Sequence, residues 1–364
     1  MIPVYRPSIG ARERQYVAEA IDSTWISSRG AFLDRFEREF PAYVGADHGV
    51  AAANGTVALH LAFAALGIGP LDEVIVPTLT YVASVNAIAY TGATPVFVDS
   101  EPEHGNLDPE LVERAITPRT KAIEVVHLYG HPADMAPILD IAERHRLAVV
   151  EDAAEAHGAE YKGRKVGSLG MVGLFSFFGN KIVTTGEGGM LVTSDHELAD
   201  RARHLRGQGV SPTRTYWHDV VGFNYRMTNV AAAIGCAQLE RIDDTLAAKR
   251  MVADWYHRHL GGVDGVTLQT EAPWASSVYW MNCILVAAGV RDQLMAFLAA
   301  EGVETRPFFY PAHTLPMYAA DRSFPVAERL SASGINLPSH PTLREDEVAS
   351  ISASIRRFFR SRRR

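Results

Sequence analysis

Cysteine is scarce in this chain of 364 residues: there are two, Cys236 and Cys283. Two cysteines cannot build a disulfide framework. Their apolar neighbours, "IGCAQL" and "MNCIL", mark both as buried reduced thiols, and the cytoplasm is the expected compartment. A run of about 18 apolar residues is also missing, which excludes a membrane-spanning helix. The N-terminus, "MIPVYRPSIG", has no apolar segment of signal-peptide length. Basic residues are not in excess: 35 Lys and Arg stand against 42 Asp and Glu, a net charge of −7. That gives no electrostatic reason to expect nucleic acid or an acidic membrane as partner. The one strongly basic stretch, the tail "RRFFRSRRR", reads as the solvated end of a last helix. No GxGxxG follows the early strands, which argues against a nicotinamide-dinucleotide enzyme. Internal repeats and low-complexity segments are absent, and no metal is expected.

What is present is ordinary in bulk, with 47% hydrophobic and 21% charged residues. At about 100–200 residues per domain, the length suggests two domains. Continuously apolar runs, "EVIVP" (73–77), "TPVFVD" (94–99), "KAIEVVHLYG" (121–130) and "LAVVEDAA" (147–154), read as strands buried on both faces. Helical patterns lie between them at 56–67, 81–92 and 135–146. The alternation predicts an α/β fold with a mostly parallel sheet between helices. "GLFSF" (173–177) and "GGMLVTS" (188–194) add two short strands joined by a loop. From about residue 230 the pattern changes to one long helix over 228–260, a strand over 277–286, a helix over 291–302, a Pro-rich loop and a final helix. The predicted division is a large domain over 1–240 and a smaller C-terminal α/β domain over 241–364, with the first 20 or so residues free to pack on the latter.

Three stretches carry chemistry. In "NGTVALHLA" (54–62) an Asn-Gly turn places Gly55 and Thr56 at a helix start, where unpaired N–H groups suit a phosphate; a plain helix cap fits the residues equally. In "VVEDAAEAHG" (149–158) Glu151 and Asp152 close an apolar strand, the end at which ligands gather in open α/β sheets. A buried Asp there needs a cationic partner, unless it only caps the next turn. In "SFFGNKIVTTGEGGM" (176–190) Lys181 stands between aromatics (Phe175, Phe177, Phe178) and glycine-rich backbone. A dry setting of that kind turns a lysine into a nucleophile; the competing reading is a solvated loop lysine. Together, a phosphate cradle, a strand-end Asp and a lysine in that order match the demands of pyridoxal phosphate. Tyr81, between a strand and a helix, is placed to stack on the ring, or else is a core aromatic.

The same stretches, with "WISSRGAFLDRFEREFPAYVG", "IVPTLTYVASVNAI", "GFNYRMTN" and "TRPFFYPAH", resemble the DegT/DnrJ/EryC1/StrS sugar-nucleotide aminotransferases, over nearly the whole chain. The resemblance implies fold type I of the pyridoxal-phosphate enzymes. It implies that Lys181 carries the cofactor and moves protons, and that Asp152 pairs with the pyridine nitrogen. Gly55, Thr56 and Ser176 would hold the phosphate, and Tyr81 would stack on the ring. Glu155 takes the place of a Gln found near the ring in relatives, so it would contact either cofactor or sugar. Asn224 would reach the phosphate of a neighbouring subunit, which implies a homodimer with shared sites. Arg306 and His313 would border the sugar nucleotide, unless they belong to a structural Pro-rich turn. The implied reaction is transamination of GDP-4-keto-6-deoxy-D-mannose with L-glutamate as donor; another base or a 3-keto sugar is the alternative. A lysine at 181 argues for transamination over the dehydration run by relatives with histidine there.

Overall fold

The computed structural model describes residues 1–319 and 321–362. A seven-stranded sheet forms its centre: β1 (His48–Ala52), β2 (Glu73–Pro77), β3 (Thr94–Val98), β4 (Thr120–Val126), β5 (Ala148–Asp152), β6 (Val172–Ser176) and β7 (Gly189–Thr193). Their spatial order is β1-β7-β6-β5-β4-β2-β3. β7 runs antiparallel to both of its neighbours, and every other pair is parallel. Burial explains the continuous apolar runs inside the sheet, where β2 is buried throughout and β4 and β5 nearly so, but not the run of β3, an edge strand with Thr94 exposed and Pro95 and Val96 half-buried. β1 escapes sequence reading because "HGVAA" offers one β-branched residue and a glycine.

This topology sets where chemistry can occur. Six strands point the same way, so the residues that follow β1, β2, β4, β5 and β6 emerge along one edge. β7, running the other way, starts at that edge, with Gly189 opposite both Ala52 and Ser176.

The C-terminal half differs from the pattern expectation in three places. The helix over 228–260 is two helices, Asn229–Leu239 and Ile242–Leu260. Arg241 leaves helical geometry (φ −123°, ψ 22°), and its guanidinium reaches Glu13 at 2.9 Å and Ser8 Oγ at 3.2 Å. Of the strand expected over 277–286, only Asn282–Leu285 forms. Tyr279 before it sits at φ +46°, which breaks extended pairing and swings Trp280 toward the main sheet. The helix Pro325–Ser333 and the strand Gly334–Leu337 carry no signal strong enough to be read in advance.

A four-stranded sheet (Thr267–Leu268, Asn282–Leu285, Gly334–Leu337, Arg306–Pro307) packs with helices Ile242–Leu260, Arg291–Ala300 and Glu345–Ser361 around a second apolar cluster. The N-terminus joins it: Ile2 N–H donates to Gly302 O at 2.8 Å and Ser339 N–H to Val4 O at 2.9 Å. Trp280, Met281, Phe308 and Leu330 instead bury into the main core, so the C-terminal half also closes over the sheet edge. The last helix carries the basic tail as expected, although Arg363 and Arg364 lie outside the described residues. No helix among the described residues is long and apolar enough to cross a membrane.

Candidate active site

The helix Gly55–Ala65 starts directly after β1. Asn54 caps it, its Oδ1 accepting the Val57 N–H at 3.0 Å and its carbonyl the Ala58 N–H at 3.1 Å. Among the described residues no hydrogen bond occupies the N–H groups of Gly55 and Thr56. Two glycines make this corner tight: a Cβ on Gly55 would lie 2.7 Å from Ser176 Cβ, and one on Gly189 2.4 Å from Asn54 O. The helix start is thereby pressed against Ser176 at the end of β6. Free N–H groups, the helix dipole and a hydroxyl form an anion cradle.

Alternation along β5 separates its two terminal acids. Glu151 is fully buried and ties down the following loop, accepting from the N–H of Gly167 (2.8 Å), Leu169 (2.7 Å) and Gly170 (2.6 Å). His127 Nε2 also donates to it at 3.1 Å, because His127 Nδ1 is used as acceptor for the Ala133 N–H. Glu151 is structural. Asp152 faces the opposite way; its oxygens accept from Ser84 Oγ at 2.9 Å and the Ala154 N–H at 3.1 Å. Those bonds keep Asp152 oriented.

Lys181 lies in the β6–β7 loop, its main chain fixed by Phe178 O (2.9 Å) and by the Tyr5 hydroxyl, which donates to Lys181 O at 2.9 Å. Its Nζ is 3.7 Å from Glu155 Oε1 and 4.0 Å above the Trp280 ring. Burial pulls its proton affinity down, against the opposing pull of Glu155 and Asp152. Glu155 is pushed up to about 7, chiefly by burial, while its Oε2 accepts the Tyr129 N–H at 2.8 Å. The dry setting of Lys181 therefore comes from a different source than the neighbouring phenylalanines. Phe175 and Phe177 turn into the core against Phe40, and Phe178 is half exposed. Trp280, a hundred residues away, covers the amine and is held by its Nε1–H on Asn180 O at 2.7 Å. The loop glycines also serve the fold: Gly188 abuts Thr185 and Met227, and Gly186 takes φ +84°.

Tyr81 precedes the helix Val82–Tyr90 and is 58% exposed, its ring 5.6 Å from Phe309, which stacks on Tyr129 at 5.1 Å. The Arg306 side chain is half-exposed and, among the described residues, pairs with Glu304 at 3.4 Å. His313 is buried, with Nδ1 on Thr78 Oγ1 at 2.7 Å and Nε2 on Glu328 Oε1 at 3.2 Å. Asn224 is exposed, and its side chain makes no hydrogen bond to Lys181, Ser176 or Thr56 among the described residues. Trp280, Ser84, Tyr129 and Tyr5 are the site-forming residues that sequence reading missed. Each is brought in by tertiary packing and carries no local signal.

With this geometry established, comparison with known proteins decides the family. The model of the DegT/DnrJ/EryC1/StrS aminotransferase family matches residues 7–356. The chain belongs to that family. It is 52% identical to a GDP-perosamine synthase of Escherichia coli O157:H7 over 98% of each chain. It is likewise 52% identical to a GDP-perosamine synthase of Caulobacter vibrioides over 97% of each. The solved structure of DesV from S. venezuelae superposes with a TM-score of 0.91 at 40% identity, covering 96% of this chain and 94% of that one. This family member is a pyridoxal-phosphate-dependent aminotransferase. Its residues fit that group: an anion cradle with free N–H groups, an oriented carboxylate at a strand end, and a desolvated lysine between them.

Proposed function

We propose that this enzyme transfers the amino group of L-glutamate to the keto carbon of GDP-4-keto-6-deoxy-D-mannose, giving GDP-perosamine. Identity of about half over the full length to proteins named GDP-perosamine synthase carries the choice of sugar. Pyridoxal phosphate, when bound, supplies the electron sink that lets a proton leave the carbon bearing the amino group. The chain supplies the rest. Gly55, Thr56 and Ser176 bind the phosphate, and Asp152, oriented by Ser84, keeps the ring nitrogen protonated. Tyr81 covers the ring. Lys181 Nζ carries the cofactor and then, as a free amine, takes a proton at one carbon and returns it at another. Trp280 keeps water from that amine.

A second copy of the chain completes the site in this reading. Among the described residues the Asn224 side chain makes no hydrogen bond, although its backbone pairs with Gly207, and the segment before it exposes Tyr216 (94%) and Val221 (92%), apolar surface that a partner subunit would cover. Arg306 and His313 are assigned to the sugar-nucleotide side, and the division at residue 240 separates the cofactor-binding part from the part that closes over it. The test is incubation of the purified protein with L-glutamate and a panel of keto-sugar nucleotides, with products analysed by mass spectrometry and NMR. GDP-perosamine is the expected product. Turnover of only dTDP- or UDP-linked sugars would overturn the substrate and leave the aminotransferase intact.

A further inference from the structure

Glu155 presents a carboxyl to the reacting amine with nothing else to neutralise it. Its Oε2 is clamped by the Tyr129 N–H, and Tyr129 is itself held in left-handed geometry (φ +53°), a conformation uncommon for a residue with a side chain. The Tyr129 hydroxyl in turn accepts the Phe309 N–H at 2.9 Å, so the clamp is anchored at both ends. The remaining oxygen, Oε1, faces Lys181 Nζ at 3.7 Å. The titratable groups around Glu155 are Lys181, Asp152, Tyr129 and Cys283; buried His157 also faces Lys181, and burial lowers it to about 3, so among the described groups Lys181 is the cation available to Glu155. Asp152 already accepts hydrogen bonds from Ser84 Oγ and the Ala154 N–H and is committed elsewhere. Burial weakens the charged form of both members of the pair, raising the acid and lowering the amine toward each other. The gap between the ionic pair and the neutral pair is thereby narrowed.

We propose that Glu155 is the proton partner of Lys181. The N–H bond of the ammonium breaks, an O–H bond forms on Glu155 Oε1, and the electron pair stays on Nζ. The neutral amine so formed can accept a proton from substrate carbon, and the stored proton goes back to Nζ when the amine has delivered its own. The inference rests on Lys181 being the reacting amine.

Glu155→Gln tests it. The amide oxygen still accepts the Tyr129 N–H, but the side chain can no longer take a proton. With the cofactor in its amine form Lys181 is free, and its titration is followed by trace acetylation across pH, read on the Lys181 peptide by mass spectrometry against exposed Lys121. Loss of the carboxylate lowers the amine's proton affinity, so the midpoint should fall by about one pH unit or more, a tenfold change in neutral amine. The acid limb of the glutamate half-reaction should move with it while its maximal rate drops. An unchanged midpoint and unmoved pH profile, with only a slower rate, would reduce Glu155 to a prop for Tyr129 and overturn the proposal. Lys181→Ala separates the two ideas: if that variant keeps full half-reaction activity, the underlying reading fails as well.

Discussion

Glu124 offers the sharpest test of the electrostatics beneath the site. It lies on β4 with no exposed surface, and among the described residues neither carboxyl oxygen has a hydrogen-bond partner. The register sets it on the same sheet face as Asp152: Glu124 pairs with Val150, and Val126 with Asp152. Burial, then the Asp152 charge, push its carboxyl well above the usual range. The folded chain thus binds a proton that the unfolded chain has released. A raised folded value means the stability contribution is complete below the unfolded value near 4.5 and is lost as pH rises. Each pH unit over which the folded carboxyl stays neutral while the unfolded one is ionised costs about 1.36 kcal/mol of stability. Glu124→Gln keeps the shape and abolishes the titration. Its own unpaired amide adds an offset that does not vary with pH. Urea unfolding of both proteins, saturated with cofactor, at pH 5 and pH 7.5 should show the variant gaining about 1–3 kcal/mol on the parent between the two. A gap that stays constant with pH would refute the buried neutral carboxyl.

Three further outcomes follow from the same geometry. Lys249 is fully buried with its Nζ on the carbonyls of Trp280 and Ser339, and burial lowers it to about 7. The unfolded chain binds the extra proton between that value and 10.5, so stability should rise with pH over this window, by up to about 1.4 kcal/mol per unit, and Lys249→Met should remove the rise in pH-dependent unfolding. Gly55→Ala pushes the helix start off Ser176 and should weaken pyridoxal-phosphate binding about tenfold, or about 1.4 kcal/mol, in an absorbance titration of the cofactor-free protein; an unchanged Kd would remove the cradle from the account. His313→Ala removes the imidazole from buried Thr78 Oγ1, while Glu328 keeps the Phe324 N–H and Ser323 hydroxyl, and should cost about 1–3 kcal/mol in thermal unfolding. If instead melting is unchanged and the KM for the nucleotide sugar rises, His313 works on substrate.

How far the sequence reached follows from what each residue depends on. The main-sheet strands that read correctly are those with a continuous β-rich apolar run, whether buried throughout like "EVIVP" or partly exposed at the sheet edge like "TPVFV". The placement of Asp152, Gly55 and Ser176 at one sheet edge, with Lys181 in the loop that follows, is legible because strand ends and a helix start that their own neighbours specify set it. The "SVYWMNCILV" run failed as a strand because one left-handed residue, Tyr279, breaks it. Trp280 over the amine, Ser84 on Asp152 and the Tyr129 clamp on Glu155 arise from contacts across 100, 68 and 26 residues of chain, which no local pattern encodes. The aromatics beside Lys181 misled for the same reason: adjacency in sequence sent Phe175 and Phe177 to the core.

The central claim is that Lys181 is the amine that carries the cofactor. Borohydride reduction of the pyridoxal-phosphate-loaded protein, then peptide mass spectrometry, addresses it directly. The account predicts the cofactor mass on the peptide containing Lys181 and its loss in Lys181→Ala. Attachment instead to Lys249, the other buried lysine whose proton affinity is lowered, or to no lysine, would contradict it.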